Sequence, residues 1–336
     1  MSDLVRIAID AMGGDRGPTV TVPASISYLQ NYPQTEFHLF GDELLINDAL
    51  EKFEIKTVQS QITIVPCASL VTDGDRPSKT LRAKQDSSMA QAVRAIRDGT
   101  CDACVSAGNT GALMAFGMQS LGTLSGVSRP AICGSIPTKK GGYLALDLGA
   151  NLNCVPEQLY QFAVIGALTA RVIKETPEPI VKLLNIGVES TKGPPAIQTA
   201  AKLMEDDARL NFRGFIEADD LFTTDADVVV CDGWSGNMVL KASEGAANLI
   251  RQILKDQLNR NLVSKFGRYL LLGNNDKFYR KLNPSAYNGA YLLGLKGNIV
   301  KSHGGADCEA FTESINVARL AVLRSLSQKI AVKFKN

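Results

Sequence analysis

The residues that could do chemistry cluster after short apolar runs. Asp10-Ala11-Met12-Gly13-Gly14-Asp15-Arg16-Gly17-Pro18 follows one such run, and Gly108-Asn109-Thr110-Gly111 follows another. Three more runs are followed by Gly149-Ala150-Asn151, by Gly187 leading to Lys192-Gly193, and by Asp232-Gly233-Trp234-Ser235-Gly236-Asn237. Glycine lets backbone N–H groups approach a ligand closely, and a helix opening just beyond presents unpaired donors to an anion. Asn, Thr and Ser side chains add neutral hydrogen bonds, while Lys192, Arg82 and Lys84 can add positive charge. One turn of this kind is the ordinary link from strand to helix. Five in one chain point to a site for phosphate or a similar anion.

Other chemistries find less support. No G-x-G-x-x-G follows a strand and no G-x-x-x-x-G-K-[ST] occurs, which argues against the common dinucleotide and nucleoside-triphosphate sites. Cys101-Asp102-Ala103-Cys104 has redox or zinc spacing but no second pair, so small core residues are the better reading; no metal and no disulfide are assigned. Of two histidines, His38 lies mid-strand as a structural residue, whereas His303, in Lys301-Ser302-His303-Gly304-Gly305, occupies a turn before a helix from about Ala306. A site role for it is an even choice against a structural one.

These turns need elements to position them. Val5–Asp10, Glu36–Phe40, Ile62–Val65, Ala103–Ser106, Leu144–Leu148, Val181–Ile186 and Val228–Cys231 are short, apolar or β-branched, and bounded by turn residues, as strands buried on both faces are. Amphipathic stretches alternate with them. Over Ser87–Arg97, Met89, Ala92, Val93 and Ile96 recur at helical spacing, with Asp86 as the expected N-cap and Gly99 as the stop. The alternation predicts a three-layer α/β/α architecture on a mostly parallel, mixed sheet, with no visible domain boundary: residues 1–336 form one catalytic unit. Residues 243–284 read as a helical excursion from it.

Composition sets bounds. There are 336 residues, with 36 basic and 34 acidic side chains, 45% hydrophobic and seven cysteines. A net charge of +2 does not suit a nucleic-acid binder at whole-chain level. The start, MSDLVRIAID, has no secretory apolar region, and an odd number of cysteines without an export signal suggests reduced thiols in a cytoplasm. Residues 251–281 hold eight basic and two acidic residues, a local +6, which leaves the rest at about −4.

Taken together, the turns resemble the PlsX-type phosphate acyltransferases. The matching segments are IDAMGGDRGP, RAKQDSSMAQAV, VSAGNTGALMA, SRPAI, LDLGAN, LLNIG followed by Lys192-Gly193, DVVVCDGWSGNMVLK, AYLLGLKG and SHG, in the expected order over nearly the whole chain. Departures are Trp234 in place of Phe, Val188-Glu189 in place of paired acids, Phe215–Ala218 without the usual Asn and Gly, and Asn288 in place of one of two glycines. The resemblance implies a fold similar to isocitrate and isopropylmalate dehydrogenases and to phosphotransacetylases, a homodimer, and transfer of a fatty acyl group from acyl-[acyl carrier protein] to inorganic phosphate for phospholipid synthesis. The alternative is a short-chain acyl-CoA phosphotransacetylase. A decarboxylating dehydrogenase is disfavoured, since Asp206-Asp207 and Asp219-Asp220 are adjacent pairs rather than carboxylates spaced along one helix. A catalytically silent scaffold for acyl carrier protein is a third rival.

Phosphate is itself a competent nucleophile, so this reaction needs positioning, charge neutralisation and help for the leaving thiolate more than a strong base. The expected catalytic residues are Lys192, His303 and Asp232. The expected binding residues are Asp10, Gly13, Gly14, Asp15, Arg82, Lys84, Asn109, Thr110, Gly111, Asn151, Gly193, Ser235 and Asn237. No bound cofactor is expected; the substrate brings its own phosphopantetheine. In the excursion, Ala246, Leu249, Ile250, Ile253, Leu254, Leu258 and Leu262 form an apolar stripe that leads to Phe266 and Tyr269-Leu270-Leu271-Leu272. Flanking Lys265, Arg268, Lys277, Arg280 and Lys281 make this tip suited to peripheral contact with a membrane surface; the resemblance implies the inner face of the cell membrane and a membrane glycerol-phosphate acyltransferase as the acceptor of acyl phosphate.

Overall fold

Val5, Ile7 and Ile9 of β1 (Val5–Asp10) point to one side of a sheet and Ala8 to the other, and this alternation separates two apolar layers. The structure, a computed structural model, describes residues 4–53, 58–139, 141–259 and 284–334. The remaining strands are β2 (Thr35–Gly41), β3 (Ile62–Pro66), β4 (Ala103–Ser106), β5 (Ala131–Ile136), β6 (Tyr143–Leu146), β7 (Ile180–Leu184), β8 (Asn211–Ile216), β9 (Val228–Val230), β10 (Ala290–Leu293) and β11 (Asn298–Lys301). The helices are α1 (Pro18–Asn31), α2 (Glu43–Leu50), α3 (Pro77–Ala83), α4 (Ser88–Arg97), α5 (Thr110–Leu121), α6 (Pro156–Ile173), α7 (Pro195–Glu205), α8 (Gly233–Asn259), α9 (Cys308–Leu323) and α10 (Leu326–Phe334).

The strands form one sheet in the order β3-β2-β1-β4-β11-β10-β5-β6-β9-β7-β8. The first five are mutually parallel, as are the last four. Between the two blocks, β10 is antiparallel to β11 and to β5, and β5 is antiparallel to β6. The second block therefore runs opposite to the first. Strand β5 joins them by halves: Ala131–Cys133 pair with β10 and Gly134–Ile136 with β6.

Helices cover both faces, as α/β layering requires. On one face α1 and α9 pack over β1 and β4 while α6 packs over β6 and β9, in a continuous core that includes Tyr28, Phe162 and Phe311. On the other face α4 and α5 pack over the first block through Met89, Val93, Leu113 and Phe116. Among the described residues the same face of the second block is thinly covered: Tyr143, Ala145 and Val229 meet a small cluster to which α8 contributes Val239.

The layered mixed sheet agrees with the expectation from sequence, with four strands added, β5, β8, β10 and β11. Ser87, not Asp86, caps α4, its hydroxyl accepting from Ala90 N–H at 3.4 Å, while Asp86 accepts from Ser69 Oγ. The last long helix starts at Cys308, where Asp307 accepts from Ala310 N–H, two residues beyond the expected Ala306. The tip residues Phe266 and Tyr269–Leu272, the excursion beyond 259 up to residue 283, and most of the basic residues around the tip lie outside the described residues.

Candidate active site

The carboxyl ends of β1, β4 and β11 lie side by side, and their loops interlock. Asp10, fully buried at the end of β1, accepts 2.6 Å hydrogen bonds from Ser88 Oγ at the start of α4 and from Ser106 Oγ at the end of β4. Burial pushes its carboxyl up, while the two hydroxyls and the charge of Lys301 pull it back. Gly13 and Gly14 allow the fit. A Cβ on Gly13 would stand 2.8 Å from Asp10 Oδ2 and 2.9 Å from Gly108 N. Gly14, at φ +85°, would put one 2.9 Å from Gly304 O. Asp15 N–H donates to that same carbonyl at 3.0 Å, which ties the β1 loop to the β11 loop.

Asn109 caps α5 by accepting from Ala112 N–H, and its amide donates to the carbonyls of Asp73 and Asp75. It thus clamps the segment before α3 to the helix start. Lys84 closes the same segment: its ammonium donates to Leu70 O at 2.9 Å and pairs with Asp75 at 2.5 Å, which holds the Asp75 carboxyl at about 2. Thr110 and Gly111 occupy the first turn of α5, where backbone N–H groups lie outside the helix's own ladder. Arg82 is exposed on α3.

Lys301, His303 and Lys241 stand at the mouth of these loops. Lys301 Nζ donates to Ala107 O at 3.1 Å and also to Ser302 O. Burial draws its ammonium down to about 8, against the opposing pull of Asp73 and Asp10. His303 is held by Asn288, whose Oδ1 accepts from His303 N–H at 3.0 Å while its amide donates to Ser302 Oγ, Ala310 O and Ser314 Oγ. Its ring Nδ1 accepts from Gly305 N–H, and Nε2 lies 3.0 Å from Lys241 Nζ on α8. Burial, Lys241 and Lys301 all push the imidazole below its usual range, so it is neutral at pH 7.

A second group surrounds Asp147, just after β6. This buried carboxylate accepts from the N–H groups of Ile132, Gly149, Ala150 and Asn151 and from the Asn151 amide. Asn151 in turn accepts from Arg129 Nε at 2.6 Å, donates to Pro130 O, and receives Gly233 N–H on its carbonyl. Asp232 accepts from both the N–H and the hydroxyl of Ser235, closing the first turn of α8. Gly236 permits this packing, since a Cβ there would fall 2.0 Å from Asp147 O. Asn237 faces Gly149 from the next position. Helix α8 starts at this group and brings Lys241 to His303 roughly 12 Å further on, so one helix connects the two.

Lys192 and Gly193 stand elsewhere. They follow β7, in the second block, where Lys192 pairs with Glu189 at 2.9 Å and both side chains are about half exposed. Among the described residues no hydrogen bond or ion pair joins this loop to the loops of β1, β4 and β11. Nor, among the described residues, is there a group of three or more His, Cys, Asp or Glu suited to a metal. All seven cysteines are free thiols.

Against this geometry, the likeness to known proteins is specific. A family described as fatty acid synthesis protein matches residues 5–329. A phosphate acyltransferase of Nitrosococcus oceani is 43% identical over 329 residues, spanning 97% of this chain and 96% of the relative. One of Shewanella amazonensis is 44% identical over 328 residues, spanning 97% and 95%. The chain belongs to the PlsX-type phosphate acyltransferase family. In fold, this phosphate acyltransferase is similar to a phosphotransacetylase, EutD, of Staphylococcus aureus, with TM-score 0.60 and 16% identity over 96% of this chain and 95% of that one. It is also similar to a 4-hydroxythreonine-4-phosphate dehydrogenase of Klebsiella pneumoniae, with TM-score 0.55 and 13% identity over 96% and 98%. It is therefore an acyltransferase of fatty acid and lipid synthesis.

Sequence reasoning missed three residues that the structure brings to the candidate site: Lys301, Lys241 and Asn288. Lys301 adjoins the Ser302-His303-Gly304 motif, and strand alternation there could have flagged a charged residue at a strand's carboxyl end. Lys241 closes the DVVVCDGWSGNMVLK match but carries no local signal, because only the path of α8 brings it to His303.

Proposed function

We propose that this chain transfers a fatty acyl group from acyl-[acyl carrier protein] to inorganic phosphate. A phosphate oxygen attacks the thioester carbonyl, the C–S bond breaks, and the pantetheine thiolate leaves with a proton, giving acyl phosphate and free holo-carrier protein. The interlocked loops around Asp10 carry this reading. They pack Gly13, Gly14 and Gly108 closely beside the start of α5, and the N–H groups of Thr110 and Gly111 there lie outside the helix's own ladder and can hold an anion. Asp10 and Asn109 act there as braces, their polar atoms turned to Ser88, Ser106 and neighbouring backbone rather than outward.

The match to a fatty acid synthesis family favours a fatty acyl group over the acetyl group of the short-chain alternative, and a narrow apolar crevice, with room for little more than a water molecule as it stands, marks where such a chain would have to make space. The crevice runs between α8 and the thinly covered face of the second block, lined by Tyr143, Leu148, Phe222, Val229, Val239 and Leu240. Its lining runs along α8 from Gly236 to Ser243, the stretch that also carries Lys241.

The test is phosphate-dependent acyl phosphate formation, trapped with hydroxylamine, from palmitoyl-[acyl carrier protein] and from acetyl-CoA. Faster turnover of the carrier-protein thioester is expected. Preference for acetyl-CoA would establish the short-chain alternative, and no phosphate-dependent product from either would overturn the transfer reading.

The same reading takes the enzyme to be a cytoplasmic homodimer at the membrane surface, passing acyl phosphate to a membrane glycerol-phosphate acyltransferase. Support comes from α8, where Leu249, Ile250 and Ile253 are more than half exposed and await an apolar partner. No helix among the described residues is long and apolar enough to cross a membrane. Peripheral contact would fall to the tip around Leu271, and Leu271→Glu is expected to abolish co-sedimentation with anionic liposomes while leaving soluble turnover intact.

A further inference from the structure

Three nitrogen groups gather beside these loops, Lys241 within 3.0 Å of His303 and Lys301 near enough to act electrostatically on both, and their hydrogen-bonding needs are not met by one another. An ammonium carries three N–H donors. Lys301 spends two, on Ala107 O and Ser302 O, and the third has no acceptor among the described residues. Gly305 N–H donates to His303 Nδ1, which places the lone pair there; in the neutral ring the proton is then on Nε2. The Lys241 ammonium, paired on its other side with Glu244 at 3.1 Å, lies 3.0 Å from that Nε2. Two donors thus converge on one point, an arrangement that an anionic oxygen accepting from both would resolve.

We propose that Lys241 and Lys301 are the phosphate-binding cations of this enzyme, with His303 presenting Nε2–H between them. This rests on the transfer reading above and names the residues that serve it. Four carboxylates face the trio: Asp10 and Asp15 from β1 and its loop, Asp73 from the segment before α3, and Glu244 from α8. Asp10 is turned inward by two serine hydroxyls, and Glu244 shares Lys241, so neither takes the third N–H of Lys301. The low pKa of Lys301 fits a desolvated ammonium that regains charge compensation when a phosphate dianion arrives. Lys192, half exposed and paired with Glu189 at another strand end, has no comparable setting.

Lys301→Met, Lys241→Met and Lys241→Arg test the assignment by steady-state kinetics. Both methionine variants should raise the phosphate KM roughly tenfold or more while the KM for acyl-[acyl carrier protein] stays within about twofold, and Lys241→Arg should recover most of the loss. The wild-type phosphate KM should also climb as pH passes about 8, a rise that Lys301→Met should lack. Titration calorimetry with inorganic phosphate alone reads the same residues without turnover, and Lys241, on the surface of α8, keeps the test open if Lys301→Met fails to fold. Phosphate affinity and KM unchanged in Lys241→Met and in a folded Lys301→Met would overturn the assignment. If wild-type acyl phosphate formation is normal at the same time, the transfer reading survives that failure.

Discussion

Asn288 organises the His303 loop with one amide. Its nitrogen donates to Ser302 Oγ, Ala310 O and Ser314 Oγ, and its oxygen accepts from His303 N–H. The resemblance implies glycine here, so Asn288→Gly is a natural test: it should lower stability by about 1–3 kcal/mol, seen in urea unfolding, and slow turnover by loosening His303. Gly14→Ala should do more harm to activity, because a Cβ there strikes Gly304 O and its φ of +85° suits no other residue well. Lys301 has the opposite sign. Its folded pKa of about 8 lies below the unfolded value, so between about 8 and 10.5 the unfolded chain holds a proton that the folded chain has shed, and stability rises with pH through that window. Without phosphate, Lys301→Met should remove this rise, in thermal melts across pH 7–10. Much of the residue level was legible as glycine next to strand ends. Which polar side chains brace and which remain open was not, since Asn109 and Asp232 spend their atoms on their own helix starts only once the fold is formed.

At the level of elements, the four strands not legible in the sequence are β5, β8, β10 and β11. β5 is AICGSI, following Pro130 and broken by Gly134; β8 is NFRGFI, half exposed beside β7 at the sheet's edge; β10 is only four residues long. Each lacks the run length or alternation by which a strand declares itself, and pairing with neighbours supplies the rest. Helix α8 was legible as an apolar stripe from Ala246 onward and as a helix opening after Asp232, though the purpose of its two halves was not. Its first turns touch the Asp147 group and His303, while beyond Gly245 Leu249, Ile250 and Ile253 lie exposed. Ile250→Glu with Ile253→Glu should convert a dimer to monomers in analytical ultracentrifugation; a wild-type protein that already sediments as a monomer would refute the dimer.

Across the whole molecule, opposed strand blocks share one sheet and one helix. A ligand held by the first block's loops and by Lys241 on α8 joins the two, so phosphate should stabilise the entire fold. At a hundred times its Kd that is about 2.7 kcal/mol, visible as a rise of a few degrees in the melting temperature. The general architecture was legible from strand–helix alternation, but the reversal at β10 and β5 was not, because direction is set by pairing partners distant in sequence.

The position of β11 has a further cost, in time. This strand pairs with β4 inside the first block, yet it is made roughly 190 residues later. At about 5–20 residues per second, a ribosome leaves the β4 edge, whose side chains are all apolar or small, without its neighbour for some 10–40 s. During synthesis the first block therefore exposes an open sheet edge of the kind that pairs with other chains. Ribosome-stalled chains ending near residue 250 should bind holdase chaperones or aggregate, whereas release of the full chain should end that exposure.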